Sequence, residues 1–333
     1  MKRCELNPAA AGRAEDSAAH PVAAPGSADV TGPSSLYRAG PWNACVKLSR
    51  ALPQPALMRI AKGFTAAYRM ACPARAEIVY NNLLPVFNGQ GVATRSAVRE
   101  LFQNFAVKLT DLWRYESGQS VDSLLESLTG WEHFEAARAR GRGVLLVTVH
   151  LGNWEFGAPW LTRRNVKLQV ITQAEPDPRL TELRQAARAR WGVDTLPLGE
   201  NPFGAVEIIR RLEANNAVAL LMDRPPPATA TTVKLFGRPF GASVSAAELA
   251  RASGCALLPV CMPRNSRGYV VETLPEIPYE RAALRNPEAR SELTQRILAA
   301  FEPVIRTHAT QWYHFVPVWP GGMTNDEMTN AKE

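Results

Sequence analysis

The segment Gly143-Val144-Leu145-Leu146-Val147-Thr148-Val149-His150-Leu151-Gly152-Asn153-Trp154-Glu155 decides the architecture. Its first half is a short apolar, β-branched run that starts after a glycine and stops at a histidine. A continuous run of that length, bounded in that way, reads as a strand buried on both faces. Gly152 permits the tight backbone of a loop that turns into a helix. Glu155 then falls in the first turn of that helix.

On the C-terminal side the pattern repeats in kind. The periodicities predict a helix over 153–162, a strand over 166–172, a helix over 178–191, a strand over 194–198 and a helix over 204–215. A strand over 217–222, a helix over 245–253, strands over 256–262 and 269–273 and a long helix over 287–307 follow. Strands alternating with helices predict an α/β fold: a mixed, mainly parallel central sheet flanked by helices. No internal repeat is visible.

On the N-terminal side, residues 131–140 read as a helix closed by Gly141 and Gly143. Residues 77–130 read as mostly helical, with Val98, Leu101, Phe102, Phe105, Lys108 and Leu109 at helical spacing. The main domain is therefore placed at 77–322, with a flexible tail at 323–333. Residues 34–76 form a basic amphipathic helical region. From 36 to 76 it carries Arg38, Lys47, Arg50, Arg59, Lys62, Arg69 and Arg75 and no acidic residue, interleaved with Trp42, Val46, Leu48, Leu52, Leu57, Ile60, Phe64 and Tyr68. Pro53 and Pro55 split it into two helices. One-sided charge among aromatic and aliphatic groups is the pattern of a helix lying on an anionic membrane surface, where each Lys or Arg gains about 1 kcal/mol. The same pattern also fits a helical hairpin packed on the domain. Residues 1–33, rich in Ala, Pro, Gly and Ser, read as a disordered leader.

Bulk composition narrows the class. The 333 residues carry 38 Lys and Arg against 31 Asp and Glu, a formal charge of +7, which favours anionic partners. The five cysteines, Cys4, Cys45, Cys72, Cys255 and Cys261, have no metal-finger spacing and read as reduced thiols. No secretory leader and no apolar run of about 18 residues is present, so the expected mode is peripheral to a membrane. There is no G-x-S-x-G, no Walker A sequence, no H-E-x-x-H and no Cys/His array. Gly141-Arg142-Gly143 precedes its strand, the wrong context for dinucleotide binding. No nucleic-acid module accompanies the basic residues.

His150 stands just after the strongest predicted strand, where reactive groups gather in open α/β sheets. An imidazole has a reference pKa of about 6.5 and can take a proton near neutrality. A turn between the two residues would let the Glu155 carboxylate orient that ring and stabilise the imidazolium. Spacing alone also fits a helix-capping pair. His314 reads as a packed or surface histidine.

The segment His150-Leu151-Gly152-Asn153-Trp154-Glu155 resembles the H-x-x-x-x-D/E motif of glycerolipid-type acyltransferases, and more narrowly the bacterial lipid A biosynthesis acyltransferase family. Leu221-Met222-Asp223-Arg224, Val233 to Pro239, Ala247 to Ala250, Gly254 to Val260 and Gln311-Trp312-Tyr313 resemble the later motifs in the same order. The resemblance covers roughly residues 40 to 320. It implies transfer of a fatty acyl chain from acyl carrier protein or acyl-CoA to a hydroxyl of a membrane lipid or glycolipid, in lipid A-type acylation. No metal, cofactor or covalent acyl-enzyme is implied. His150 becomes the general base and Glu155 its partner. Asn153, Asp223, Arg224, Phe236 and Gly237 become substrate-binding residues, and Arg224 meets either a phosphate or oxyanion or a carboxylate of the protein. The implied location is the cytoplasmic face of the bacterial inner membrane. A thioesterase using the same pair with water, and a non-catalytic lipid-binding homologue, are the competing readings. Pro225-Pro226-Pro227 and the absence of an N-terminal membrane anchor depart from the family pattern.

Overall fold

The computed structural model describes residues 37–198 and 204–320. The leader expected at 1–33 and the tail expected at 323–333 lie outside the described residues. Helices α1 (Ala39–Ala51), α2 (Gln54–Ala71), α3 (Pro73–Leu83) and α4 (Gly91–Glu116) come first. They are followed by β1 (Leu125–Thr129), α5 (Trp131–Ala139), β2 (Val144–Thr148), α6 (Gly157–Thr162), β3 (Leu168–Gln173), α7 (Pro178–Ala189) and β4 (Val193–Leu198). Next are α8 (Gly204–Glu213), β5 (Ala217–Leu221), β6 (Ala230–Leu235), β7 (Arg238–Ser243), α9 (Ser245–Ser253), β8 (Ala256–Cys261), β9 (Tyr269–Thr273) and α10 (Pro287–Thr307).

Among the described residues the main sheet has seven strands in the order β1-β9-β8-β2-β5-β3-β4. The strands β8, β2, β5, β3 and β4 run parallel. At one edge β9 is antiparallel to β8, and β1 is parallel to β9. The sheet is thus mixed and mainly parallel, as the alternation predicts. The run Val144–Thr148 is its central strand, and every residue in it is buried. That burial explains why it lacks polar alternation. Thr148 of β2 pairs with Leu221 of β5. Two residues beyond each of these stand His150 and Asp223, so the parallel register delivers both to the same level above the sheet.

One element differs from the sequence reading and another was not anticipated by it. Residues Leu125–Thr129, inside the stretch read as mostly helical, form edge strand β1. Their sequence LESLT has one β-branched residue, Thr129, and no alternation, and the strand is held by pairing with the distant β9. The antiparallel pair β6–β7 is a hairpin closed by Phe236-Gly237, with φ of 50° and 74°. Positive φ at both central residues is a type I′ geometry, normally signalled by Asn-Gly or Gly-Gly. A phenylalanine in the first position conceals it. The Phe236 amide donates to Glu302 Oε2 at 3.2 Å, and Arg306 covers the ring at 4.9 Å, which helps hold the strained residue.

The basic N-terminal region holds two helices, with the break at Leu52-Pro53, and its last residues, from Pro73, begin α3. Leu57, Ala61 and Thr65 form the buried stripe of α2, at one helical period from each other. Trp42 and Leu57, counted with the apolar groups of a membrane face, are in fact buried in the protein. Ile60, Phe64 and Met70 are more than half exposed. No described helix is long and apolar enough to cross a membrane. Cys45, Cys72, Cys255 and Cys261 are free thiols, the last two buried.

Candidate active site

The loop after β2 is fixed on both sides by backbone hydrogen bonds. Gly152 N donates to Gln311 O at 3.0 Å, Asn153 N to Met262 O at 3.0 Å, and Tyr313 N to His150 O at 2.8 Å. Gly152 has φ +65°, and a Cβ there would lie 1.9 Å from the Met262 carbonyl oxygen. Only glycine fits that approach. The loop is thereby wedged between the end of β8 and the segment after α10.

Asp223 organises what gathers at this point. Its Oδ1 lies 2.7 Å from His150 Nδ1. Its Oδ2 accepts from the His150 backbone amide at 2.9 Å, from Trp312 Nε1 at 3.1 Å and from His314 Nε2 at 2.8 Å. Asp223 and His314 have no side-chain surface open to solvent, while the His150 ring keeps 15%. Buried carboxylates need such donors, and these satisfy both oxygens. The arrangement assigns the tautomers: His150 donates from Nδ1, which leaves Nε2 as a lone-pair acceptor. Among the described residues Nε2 has no hydrogen-bond partner. Burial pushes the His150 imidazole down to about 4, although the Asp223 charge pulls the other way. Burial likewise lowers His314. Burial would raise Asp223, but the two rings hold it well below the usual carboxylate range. At neutral pH the cluster is therefore one carboxylate with two neutral imidazoles.

His150, Asp223 and His314 are also residue types that ligate metals. Here each nitrogen sits at hydrogen-bond distance from a carboxylate oxygen, and the Trp312 N–H, which has no lone pair to give, is aimed at the same group. That donor set fits a carboxylate caged by N–H groups better than a cation site.

Glu155 is elsewhere engaged. The expectation that its carboxylate turns back onto His150 is corrected: its oxygens accept from Arg184 at 2.8 Å and from Arg188 at 2.9 and 2.7 Å. The two arginines stand one turn apart on α7, so they reach one carboxylate together. Burial would raise Glu155, but Arg188 and then Arg184 reverse this and hold it at about 2. Arg184 also bonds Tyr37 and Glu175 and lies 3.4 Å from Glu116, which accepts from Trp42. This ion cluster ties the start of α6, α7, α4 and α1 together.

The other sequence-chosen residues are dispersed around these two clusters. Asn153 is fully buried, and neither side-chain amide atom has a partner among the described residues. Arg224 is exposed, and its side chain forms no ion pair among the described residues. Phe236 meets Trp312 at 6.4 Å, one ring removed from Asp223, and Gly237 completes the hairpin turn. Sequence reasoning missed His314, Trp312, Arg184, Arg188 and Lys108. Trp312 lies in the Gln311-Trp312-Tyr313 motif, and His314, read as a packed or surface histidine, directly follows it, but nothing in the sequence pointed at Asp223 as their partner.

Residues 38–320 match the family model of bacterial lipid A biosynthesis acyltransferases. The chain belongs to this family. Its similar relatives carry the name phosphatidylinositol mannoside acyltransferase. The protein of Mycobacterium tuberculosis (strain CDC 1551 / Oshkosh) is 29% identical over 192 residues, 57% of this chain and 58% of the relative. That of Mycolicibacterium smegmatis (strain ATCC 700084 / mc(2)155) is 25% identical over 197 residues, 59% of this chain and 62% of the relative. The chain thus spans about three fifths of the length of these relatives. The family and the relatives are alike named for acyl transfer.

Proposed function

We propose that the chain transfers a fatty acyl group from a thioester donor to a hydroxyl of a membrane glycolipid, with His150 as general base and Asp223 as its partner. The observation that carries this reading is the bond from His150 Nδ1 to Asp223 at 2.7 Å, which leaves Nε2 unpartnered on an imidazole that burial keeps neutral. Nε2 takes the proton of the acceptor hydroxyl as its oxygen attacks the thioester carbonyl. The new C–O bond forms, and the tetrahedral intermediate collapses with cleavage of the C–S bond. The departing sulfur takes the proton back from the imidazolium. Asp223 stabilises the imidazolium between these steps.

Glu155 acts as a positioning residue: with Arg184 and Arg188 it fixes the helix start that follows the His150 loop. The exposed Arg224 guanidinium is suited to a phosphate or the developing oxyanion. Asn153 contributes the loop's unmatched amide. Phe236 and Gly237 shape the wall near Trp312, where an acyl chain passes. The donor is acyl carrier protein or acyl-CoA. The relatives' name, with its glycolipid acceptor, supports a glycolipid over a free alcohol.

We place the protein peripherally on the cytoplasmic face of a bacterial inner membrane. On α2 the exposed Ile60 and Phe64 are four residues apart, with exposed Arg59 and Lys62 beside them. Apolar groups flanked by cations suit an anionic bilayer surface. Replacing Ile60 and Phe64 by serine is expected to reduce sedimentation with anionic vesicles while leaving the fold intact.

The test of the reaction is His150→Ala in the full chain, assayed with acyl-CoA and acyl carrier protein donors, with and without glycolipid. A fall of about 10³-fold in acyl-glycolipid formation is expected. Full transfer by this variant, or release of free fatty acid with no need for glycolipid, contradicts the reading.

A further inference from the structure

A second cation stands beside this site and has no use in the scheme above. Lys108 lies on α4 and is only 6% exposed. Among the described residues its ammonium has no hydrogen-bond acceptor and no ion pair. It rests on the face of Trp154 at 3.6 Å, with Tyr313 at 5.6 Å and Phe105 at 5.7 Å. Trp154 is also the ring that meets His150 edge-on, 5.0 Å away. One indole therefore touches both the proposed base and the buried ammonium.

Ring faces offset part of the cost of burying a cation, but they accept none of its three N–H donors in the ordinary sense. A buried, undercompensated ammonium tends to lose its proton or to gain an anion. Burial, and then Arg184, push Lys108 down to about 7, against the pull of Glu155 and Glu116. The side-chain oxygens of those two carboxylates are engaged by Arg184, Arg188 and Trp42, not by Lys108. Arg224 directly follows Asp223, the partner of His150, and its exposed side chain has no ion pair among the described residues. Two cations without carboxylate partners thus act on the space around His150.

We infer that Lys108, together with Arg224, forms the binding site for a substrate phosphate next to the reacting histidine. The inference rests on the acyl-transfer reading for which substrates are present. The phosphate is a phosphodiester or monoester oxygen group, carried either by the pantetheine arm of the donor or by the head group of the acceptor. Lys108 reaches it as a point charge with rotatable donors, and Trp154 holds the side chain in place.

Binding of three probes to the full chain tests this: 4′-phosphopantetheine, pantetheine and glycerophosphoinositol, each titrated calorimetrically into wild type, Lys108→Met, Lys108→Arg and Arg224→Gln. Lys108→Met is expected to weaken a phosphate-bearing probe about 10-fold or more, with Lys108→Arg restoring most of it and pantetheine unchanged throughout. Loss confined to 4′-phosphopantetheine assigns the phosphate to the donor, and loss confined to glycerophosphoinositol assigns it to the acceptor. Equal affinity of wild type and Lys108→Met for both phosphate probes overturns the inference, as does wild type binding neither. If Lys108→Met does not fold, Arg224→Gln on the exposed surface decides: several-fold weaker phosphate binding supports the pair, and unchanged binding overturns it. A purely structural Lys108 lowers the melting temperature without moving these affinities. His150→Ala separates the two ideas, because it is expected to lose transfer yet keep phosphate-probe binding.

Discussion

Asp223 and Glu155 are both buried carboxylates within a few residues of His150 or one strand away, yet their partners differ in kind. Asp223 holds two imidazoles, an indole and a backbone amide. Glu155 holds two guanidiniums. Guanidiniums are always charged, so the Glu155 cluster has one protonation state and serves as a clamp. Imidazoles change charge, so the Asp223 cluster can pass through a reaction cycle. The difference teaches that proximity in sequence to a histidine does not select its partner. The register of β2 and β5 does.

The largest expected effect comes from Asp223→Asn. It removes the charge behind His150 and is predicted to lower acyl transfer by roughly 10³-fold with little loss of melting temperature, read from initial rates with thioester and glycolipid. Glu155→Gln should show the opposite balance. Leaving Arg184 and Arg188 buried without their carboxylate should cost about 3–5 kcal/mol in denaturant unfolding, while transfer per folded molecule falls by about 10-fold or less. If Glu155→Gln folds normally and abolishes transfer, the two carboxylates have exchanged roles. Gly152→Ala should destabilise by about 1–3 kcal/mol, because the Met262 carbonyl must move.

The pH dependence sharpens the same contrast. A folded-state imidazole held at about 4 is unprotonated above that pH and becomes charged as pH falls through it. Transfer is therefore predicted to lose its base form near pH 4 and not near the ordinary imidazole value of about 6.5. Glu155, held at about 2, stays ionised across that range, so the clamp does not contribute to the acid limb. A single-turnover rate profile checks both. The smallest effect is expected for His314→Gln, which can keep one N–H directed at Asp223 and should reduce transfer by less than about 10-fold.

Much of this was legible in the residues. Val144–Thr148 declared the central strand because burial on both faces removes polar alternation. His150 was found because the end of such a strand is where side chains converge. The helices at Ser245–Ser253 and Pro287–Thr307 match their predicted spans, having clear boundaries in Gly254 and in Asn286-Pro287. What stayed hidden depended on distant pairing. β1 has its stabilising neighbour in β9, and Phe236 takes a backbone conformation that its residue type does not advertise. Likewise, nothing local to His314 shows that Asp223 lies 2.8 Å away, or that Arg184 and Arg188 on α7 claim Glu155. Trp42 reads as a membrane-facing aromatic until Glu116 is seen to accept its N–H inside the protein.

Nitrogen-15 spectroscopy of the His150 ring, assigned by comparison with His150→Ala, tests the central claim most directly. A neutral ring at pH 6 is expected, with the proton on Nδ1 and none on Nε2, altered by Asp223→Asn and unchanged by Glu155→Gln. A charged ring at that pH, an Nε2–H tautomer, or a response to Glu155→Gln alone would contradict it.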